Sequence, residues 1–225
     1  MPSDHLLPHR TADGSFTLRH AQVGEHYHSL HGAVTESTHV FIRAGLEHAG
    51  EHRVDVLEVG LGTGLNLLLT WIRCLEGKCV VRYTALEPYP LEEAVLHRLA
   101  HAQDLGWPGL HDDLIRMMTG PLGVGQEAEG GLEFTRSSTA VQDLEAREAF
   151  DVVYFDAFAP NSAPHMWTLD VFRRMWACLR PSGVLVTYCA KGEVRRTMQA
   201  AGFAVERLPG PPGKREMLRA TKPFP

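Results

Sequence analysis

The chain has 225 residues, of which 44% are apolar and 22% charged, and its formal net charge is −5. This length supports one well-packed core and is short for two, so we expect a single domain over residues 1–225. No run approaches the roughly eighteen apolar residues of a membrane span and no signal sequence opens the chain, so we expect a cytoplasmic protein that does not contact a membrane.

The amino-terminal region, residues 13–50, is predicted to be a hairpin and helix extension of the core. Residues 1–12 have few periodic apolar positions and predict a loose start. Residues 15–19 alternate polar and apolar side chains like an exposed hairpin strand. A helix is expected to begin near Glu36 and to end near Gly50, with its apolar residues on the sheet.

Three histidines, His26, His28 and His31, follow the predicted strand. Their H-x-H-x-x-H spacing fits no common zinc pattern, and no acid or cysteine is fixed beside them. We therefore expect polar loop histidines and no metal site.

The core of the sequence is a glycine-rich joint between a strand and a helix. Residues 54–59 are a β-branched, apolar run typical of a buried parallel strand, and a helix begins near Leu65. Gly60, Gly62 and Gly64 lie between the two elements, where a sharp turn can approach a ligand. An open alternative is a tight turn that binds nothing.

The spacing of this loop separates the possible nucleotide ligands. A dinucleotide fingerprint needs Gly or Ala where this chain has Leu65, and a phosphate-binding Walker loop needs Gly-Lys-Ser/Thr where it has Leu65-Asn66-Leu67. Glu58, two residues before the first glycine, makes the loop similar to the cofactor loop of S-adenosylmethionine-dependent methyltransferases. An acid is reasonable there because the methionine moiety is cationic.

A second acid follows the next predicted strand, residues 80–86. Glu87 lies 23 residues beyond Gly64, where a carboxylate can accept both ribose hydroxyls of a nucleotide. The alternative is a solvated charge at a strand end. Together with the glycine-rich loop, Glu87 favours a ligand.

The middle of the chain is less regular. A helix is predicted over residues 91–105, and the glycine-rich residues 106–131 are predicted to form a surface insertion with one helical turn at 112–118. A third strand follows at residues 132–136. Asp143 comes shortly after it, where methyltransferases of this fold place an acid or amide on the adenine amino group.

The fourth predicted strand, residues 150–155, ends at Asp156. Side chains just past the carboxyl ends of central strands line the ligand crevice of an open α/β sheet, so Asp156 and Phe158 are expected there. The alternative for Asp156 is a turn or helix-cap residue. The remaining elements are a helix at 167–179, a strand at 184–188, a helix at 193–200 and a final strand pair at 201–207 and 215–220.

These elements make seven strands with intervening helices, and the last two strands form an antiparallel pair. They predict a Rossmann-like, doubly wound α/β sheet whose glycine-rich loop follows its first core strand, with the core spanning residues 54–222. The four cysteines lie in predicted helices and strands without C-x-x-C spacing, and we expect reduced core thiols: Cys74, Cys79, Cys178 and Cys189.

Charge is distributed unevenly along the chain. From Arg173 to the end, eleven Lys and Arg accompany three acids, a balance of +8, whereas residues 1–172 have a balance of −13. Such asymmetry indicates either a surface that faces a polyanion or a solvated basic face.

Eight short motifs then suggest a specific family. They are Gly24-Glu-His-Tyr-His-Ser29, Thr35-Glu-Ser37, Gly60-Leu-Gly-Thr-Gly-Leu-Asn66, Asp156-Ala-Phe-Ala-Pro160, Met166-Trp167, Val194-Arg-Arg196, Ala201-Gly-Phe203 and Gly213-Lys-Arg-Glu-Met-Leu218. Together, between Asp13 and Lys222, they resemble the MnmD family of tRNA (5-methylaminomethyl-2-thiouridine) methyltransferases, a module that also forms the amino-terminal half of bifunctional MnmC.

The resemblance implies methyl transfer from S-adenosylmethionine to the primary amine of 5-aminomethyl-2-thiouridine at the tRNA wobble position. It implies a catalytic role for Asp156. It also implies that the cofactor is bound by Tyr27, Glu36, Glu58, Gly60, Gly62, Thr63, Gly64, Asn66, Glu87, Asp143 and Asp156. Contacts to substrate or tRNA are expected from Phe158, Pro160, Trp167, Lys191, Arg195, Arg196, Lys214 and Arg215.

One residue departs from the family pattern, because Ser162 stands where a Lys is expected, and this puts a tRNA contact from that loop in doubt. The chain ends at Pro225, so we expect no flavin-dependent domain. Two alternatives stay open: a small-molecule N- or O-methyltransferase, and a non-catalytic RNA-binding module on the same fold.

Overall fold

The computed structural model describes residues 6–20, 24–50 and 52–224, and its core is an eight-stranded sheet covered by helices on both faces. A separate three-stranded antiparallel sheet precedes it. The strands of the two sheets are β1 (Leu6–Arg10), β2 (Phe16–His20), β3 (Glu25–His26), β4 (Arg53–Val59), β5 (Val80–Leu86), β6 (Gln126–Ala128), β7 (Leu132–Ser137), β8 (Phe150–Phe155), β9 (Leu179–Thr187), β10 (Ala204–Pro209) and β11 (Glu216–Thr221).

The large sheet has the order β10, β11, β9, β8, β4, β5, β7, β6. Strands β7, β5, β4, β8 and β9 are parallel, whereas β11, β10 and β6 join in antiparallel pairs. The predicted doubly wound sheet with an antiparallel last strand is confirmed. The sequence predicts seven of these strands and misses β6, which lies inside the expected insertion.

Alternate residues of the central strands face two separate layers of helices. In β4, Val54 and Val56 pack into one apolar cluster, and Leu57 and Val59 pack into the other. The first cluster includes the helices Leu65–Leu75 and His111–Thr119, and the second includes Leu169–Cys178 and Gly192–Ala200. Every residue of β4 after Arg53 is buried, as expected for a central parallel strand.

A continuous helical segment crosses the first face of the sheet. It is α-helical at Ala33–Ser37, π-helical at Thr38–Leu46 and α-helical again at Glu47–Ala49. A Cβ on Gly45 would lie 3.0 Å from the Val186 side chain, so glycine allows this helix to approach the sheet closely.

Three sequence predictions are wrong in detail. The expected loose start contains β1, which pairs with β2, although residues 1–5 of that prediction lie outside the described residues. The helix predicted over 91–105 is two short helices, Glu93–Leu96 and His101–Asp104.

The third difference is the segment 106–131, which was expected to be a surface insertion with one helical turn. It contains the nine-residue helix His111–Thr119, whose Leu114, Ile115, Met117 and Met118 are buried. A Cβ on Gly64 would collide with Met118, so this helix supports the glycine-rich loop. Its apolar spacing is helical, but the surrounding glycines obscure it in the sequence.

No helix among the described residues is long and apolar enough to cross a membrane. All four cysteines are free and buried, as predicted for core thiols.

Candidate active site

The loops that follow the parallel strands meet at one edge of the sheet, here called the carboxyl edge. The loop 60–64 follows β4, Glu87 follows β5 and Asp156 follows β8. The turn between β10 and β11 reaches the same edge, because β10 runs in the direction of β9, and this turn carries Lys214. Residues far apart in sequence are therefore brought together as predicted for an open α/β sheet.

The glycine-rich loop leaves no room for a side chain at its three glycines. Gly60, Gly62 and Gly64 have φ angles of 92°, 50° and 76°, in the left-handed region that favours glycine. A Cβ on Gly60 would lie 2.9 Å from the Asp156 carbonyl oxygen, and one on Gly62 would lie 3.0 Å from the Tyr27 ring. At these three positions only backbone groups can therefore face a ligand.

Glu87 lies directly beside this loop. Its carboxylate accepts hydrogen bonds from the Gly62 N–H at 3.1 Å and from the Tyr89 N–H at 3.0 Å. Burial raises the pKa of Glu87 despite these bonds. A carboxylate has about four lone-pair positions, so Glu87 can still accept hydrogen bonds from a ligand. Its partners exclude the alternative of a solvated strand-end charge.

Asn66 connects two carboxyl groups beneath the loop. Its Nδ2 donates to Glu58 Oε1 at 2.9 Å and to Asp156 Oδ2 at 2.8 Å. Glu58 is fully buried, and this burial holds its pKa well above the usual range. Glu58 Oε2 and Asn66 Oδ1 have no hydrogen-bond partner among the described residues. Because Glu58 has no exposed surface, direct contact with a cofactor would require the loop to move.

Asp156 is half-buried, and its pKa is raised to about 7. Burial is the main cause and the Glu36 carboxylate adds to it, whereas the Asn66 hydrogen bond and the Lys214 charge act in the opposite direction. A carboxyl group with this pKa can accept a proton at neutral pH and release it again. Its side chain bonds to Asn66, a helix residue after another strand, which disfavours the alternative of a local cap.

Lys214 points inward at this edge. Its Nζ lies 2.5 Å from Glu36 Oε2 and 4.0 Å from the centroid of the Tyr188 ring. Tyr188 in turn donates a hydrogen bond from its hydroxyl to the Ala157 carbonyl at 2.9 Å. The sequence predicts Lys214 as a phosphate contact, but here its ammonium group is bound by an acid and an aromatic face.

Tyr27 covers the glycine-rich loop from the side of β3. Its ring meets the Phe158 ring edge-on at 5.2 Å, and burial raises the pKa of the Tyr27 hydroxyl to about 12. Tyr27 and Phe158, predicted separately as cofactor and substrate residues, therefore form one aromatic wall.

His28 lies in the loop after β3, as expected, but it is buried and belongs to the site. Its ring is buried, Nε2 lies 2.7 Å from Thr63 Oγ1, and burial lowers the pKa of His28 to about 3. His28 is therefore neutral near pH 7 and anchors Thr63, a residue of the glycine-rich loop. The sequence around His28 does not predict this contact, because Thr63 lies 35 residues away.

The loop after β8 is fixed from two sides. Glu25 accepts a hydrogen bond from the Ala159 N–H at 3.2 Å and another from the Ser162 hydroxyl. Trp167 is 6% exposed and donates from Nε1 to the Phe158 carbonyl at 2.8 Å. Ser162 and Trp167 therefore hold the loop, and Trp167 does so from beneath it.

The other predicted residues lie toward the solvent. Lys191 Nζ donates a hydrogen bond to Asn161 Oδ1 at 2.7 Å. A lysine therefore lies at the loop in which Ser162 replaces the lysine of the family pattern. Five more candidates are exposed or half-buried: Asp143, Pro160, Arg195, Arg196 and Arg215. Three residues of the site were not predicted. Glu25 and His28 lie in the motif at residues 24–29 but were given no role, and Tyr188 lies just after β9, a position that predicts a ligand-side residue.

A pocket of about 390 Å³ lies elsewhere, against Glu47, Arg73 and Cys79. These residues lie near the start of β5, at the opposite edge of the sheet from Asp156. Arg73 and Glu47 already form an ion pair there at 2.9 Å. The chemistry of Asp156 therefore does not involve this pocket.

Comparison with known proteins agrees with this geometry. Residues 127–223 match a family described as S-adenosyl-L-methionine-dependent methyltransferase. The chain is 31% identical to the tRNA 5-methylaminomethyl-2-thiouridine biosynthesis bifunctional protein MnmC of Burkholderia multivorans, over 96% of this chain and 35% of that protein. The MnmC of Ralstonia nicotianae is also 31% identical, over 99% of this chain and 36% of that protein.

A solved structure extends the comparison along the whole chain. The crystal structure of MNMC2 from Aquifex aeolicus superposes with a TM-score of 0.78 at 28% identity, covering 100% of this chain and 73% of that one. The present chain spans about a third of the length of the curated relatives.

The fold and the family match define a Rossmann-like, S-adenosylmethionine-dependent methyltransferase. Within that class the chain is a homologue of the MnmC proteins, and the family resemblance predicted from its motifs is confirmed.

Proposed function

We propose that this protein transfers a methyl group from S-adenosylmethionine to the primary amine of 5-aminomethyl-2-thiouridine at the tRNA wobble position, giving 5-methylaminomethyl-2-thiouridine. The observation that carries the proposal is Asp156, a carboxyl group with a pKa of about 7 that adjoins the glycine-rich loop. The names of the homologous MnmC proteins supply the nucleoside.

The residues at the carboxyl edge fit the cofactor. The loop 60–64 has no space for a side chain at its three glycines and can present its backbone to the methionine moiety. Glu87 has free lone pairs for the ribose hydroxyls, and the exposed Asp143 is the proposed partner of the adenine amino group. Tyr27 borders this loop, and Thr63 belongs to it. When bound, the cofactor supplies an electrophilic methyl group on a sulfonium.

The amine must lose a proton before it can attack. With a pKa like that of lysine, about 10.4, it is neutral in roughly one molecule in 2,500 at pH 7, a cost of about 4 to 5 kcal/mol. Transfer of this proton to an ordinary carboxylate of pKa 3.8 would cost about 9 kcal/mol, at about 1.36 kcal/mol per pKa unit.

Asp156 reduces this mismatch. With its pKa at about 7, the same transfer costs about 4 to 5 kcal/mol, close to the cost of deprotonation in water. Asp156 would accept one proton from the ammonium group. This transfer frees the lone pair of the nitrogen, which Asp156 would orient toward the methyl group. Positioning of the two reactants then supplies much of the rate.

The tRNA would approach from the solvent side of the carboxyl edge. Lys191, Arg196 and Arg215 are exposed there and suit phosphate contacts. The wobble base must be unstacked to reach Asp156, and the Tyr27 and Phe158 rings are suitable stacking surfaces. A tRNA substrate implies a cytoplasmic enzyme.

The proposal can be tested in cells. The chain would be expressed in a bacterial strain that lacks this methyltransferase and accumulates 5-aminomethyl-2-thiouridine. Nucleoside analysis should show conversion to the methylaminomethyl form, and Asp156→Asn should slow this conversion about a hundredfold or more. Calorimetric titration of both proteins with S-adenosylmethionine separates loss of chemistry from loss of the cofactor. A folded protein that binds the cofactor but leaves the nucleoside unchanged would contradict the proposal.

A further inference from the structure

Lys214 ends in a site that is built for a cation. Its Nζ lies 2.5 Å from Glu36 Oε2 and 4.0 Å from the centroid of the Tyr188 ring. Glu36 is only 6% exposed, and the Ser29 N–H donates to its other carboxylate oxygen at 3.3 Å. An ammonium group therefore finds a fixed negative charge on one side and an aromatic face on the other.

This cation site adjoins the proposed base. Glu36 raises the pKa of Asp156 and Lys214 lowers it, so both charges act on the Asp156 carboxyl group. The Tyr188 hydroxyl is bound to the carbonyl of Ala157, the residue directly after Asp156. An ammonium group held between Glu36 and Tyr188 is thus next to the carboxylate that would receive its proton.

The lysine side chain and the aminomethyl group of the proposed substrate both end in a primary alkylammonium. We propose that Glu36 and Tyr188 form the binding site for the ammonium group of the substrate, and that Lys214 occupies this site until the modified base enters. This inference rests on the proposed function and names the residues that select an amine.

Exchange of one ammonium for another avoids a large electrostatic cost. A buried carboxylate left without a partner is strongly destabilising, but here Glu36 stays paired before and after the substrate enters. Lys214 lies next to Gly213, which has a φ of 85°, in the turn that joins β10 and β11. Once released, Lys214 would join the exposed Arg215 and could contact a phosphate, the role that the sequence predicts for it.

The decisive quantity is the preference for the amine, defined as the affinity for tRNA carrying the aminomethyl group divided by the affinity for the same tRNA without it. Glu36→Gln should reduce this preference at least tenfold and raise KM for the aminomethyl tRNA similarly. Its affinity for S-adenosylmethionine should stay within twofold of wild type. Glu206→Gln is a matched control, since Glu206 pairs with Arg219 on the exposed β10–β11 hairpin.

Lys214→Met should have the opposite effect on the preference. It keeps the apolar stem but removes the competing ammonium, so the preference should rise at least threefold, while the affinity for unmodified tRNA should stay near wild type because Lys214 remains at Glu36 when no amine enters. Thermal unfolding and cofactor titration would verify that each variant is folded.

Three results would overturn the inference. They are an unchanged preference in Glu36→Gln, loss of the preference in Lys214→Met, and weak cofactor binding in Glu36→Gln, which would make Glu36 a cofactor ligand. If the wild-type protein binds both tRNAs equally and methylates neither, the proposed function itself fails, which is a distinct outcome.

Discussion

Asn66 Nδ2 lies 2.8 Å from Asp156 Oδ2, and this hydrogen bond joins the proposed base to the helix that follows the glycine-rich loop. The same nitrogen lies 2.9 Å from the buried carboxyl group of Glu58. Asn66 therefore sets both the position of Asp156 and part of its proton affinity, since it lowers a pKa that burial raises.

Replacement of Asn66 should raise the pKa of Asp156 further. Without its hydrogen bond the carboxylate is less stable, so Asn66→Ala should move the acidic inflection of kcat/KM upward by about one pH unit, from near 7. A pH–rate profile with aminomethyl tRNA measures this shift. Gln103→Ala, an exposed amide on another helix, is the control. An unmoved inflection would mean that Asn66 does not act on the base.

Asp156 should lower stability above neutral pH. Its pKa is about 7 in the folded protein and 3.8 when unfolded, so between pH 4 and 7 the folded state binds more protons and stability falls as pH rises. Asp156→Asn removes this penalty. The full shift corresponds to about 4 kcal/mol, and we expect roughly 1 to 2 kcal/mol because solvent screens the half-buried group.

Denaturant titrations of Asp156→Asn and wild type at pH 4.5 and pH 8 would measure this difference. The variant should be more stable at pH 8, and the two proteins should converge toward pH 4. A variant less stable than wild type at pH 8 would show that the Asp156 carboxylate is a structural group.

Much of this architecture follows from local sequence patterns. The β-branched run of β4 predicts a strand, and the glycines 60, 62 and 64 predict a turn into a helix. Both predictions succeed because strand preference and backbone freedom are set by residues adjacent in sequence. The rule that ligand residues follow the carboxyl ends of parallel strands then places Glu87 and Asp156 together.

Other parts of the site depend on contacts that local patterns do not encode. The buried His28 forms a hydrogen bond with Thr63, 35 residues away, and Lys214 pairs with Glu36 and the Tyr188 ring. A basic residue in a glycine-rich turn has the same sequence signature whether it faces RNA or an internal acid. Only the three-dimensional arrangement distinguishes the two cases.

Glu87→Ala should weaken cofactor binding by about 2 kcal/mol or more. The substitution removes an acceptor for the ribose hydroxyls and also the bond that holds the Gly62 N–H. Calorimetric titration with S-adenosylmethionine measures the loss. Glu127→Ala, on the exposed strand β6, serves as control. Equal affinity in Glu87→Ala and wild type would exclude Glu87 from the cofactor site.

The exposed basic residues should control the salt dependence of tRNA binding. Reversal of Arg196 and Arg215 to Glu should raise KM for tRNA and flatten the dependence of log affinity on log salt, by about 0.7 to 0.9 per lost phosphate contact. Cofactor affinity should not change. Normal tRNA methylation between about 50 and 200 mM salt would identify these residues as a solvated face only.

The carboxyl groups of Glu36 and Asp156 also predict which tRNA is rejected. A carboxymethylaminomethyl group would bring an additional carboxylate toward Glu36 and Asp156, and unpaired like charges in a partly desolvated site are strongly disfavoured. Only tRNA that already carries the free aminomethyl group should therefore be methylated.

Purified protein and S-adenosylmethionine, incubated with tRNA carrying either group, give the most direct test of the central claim. Mass spectrometry of the nucleosides should show 5-methylaminomethyl-2-thiouridine from the aminomethyl tRNA alone. The Asp156→Asn variant should form this product at a rate about a hundredfold lower, or lower still, and its cofactor affinity should be nearly unchanged. Near-normal turnover by Asp156→Asn, or no product from aminomethyl tRNA with a protein that binds the cofactor, would contradict the account.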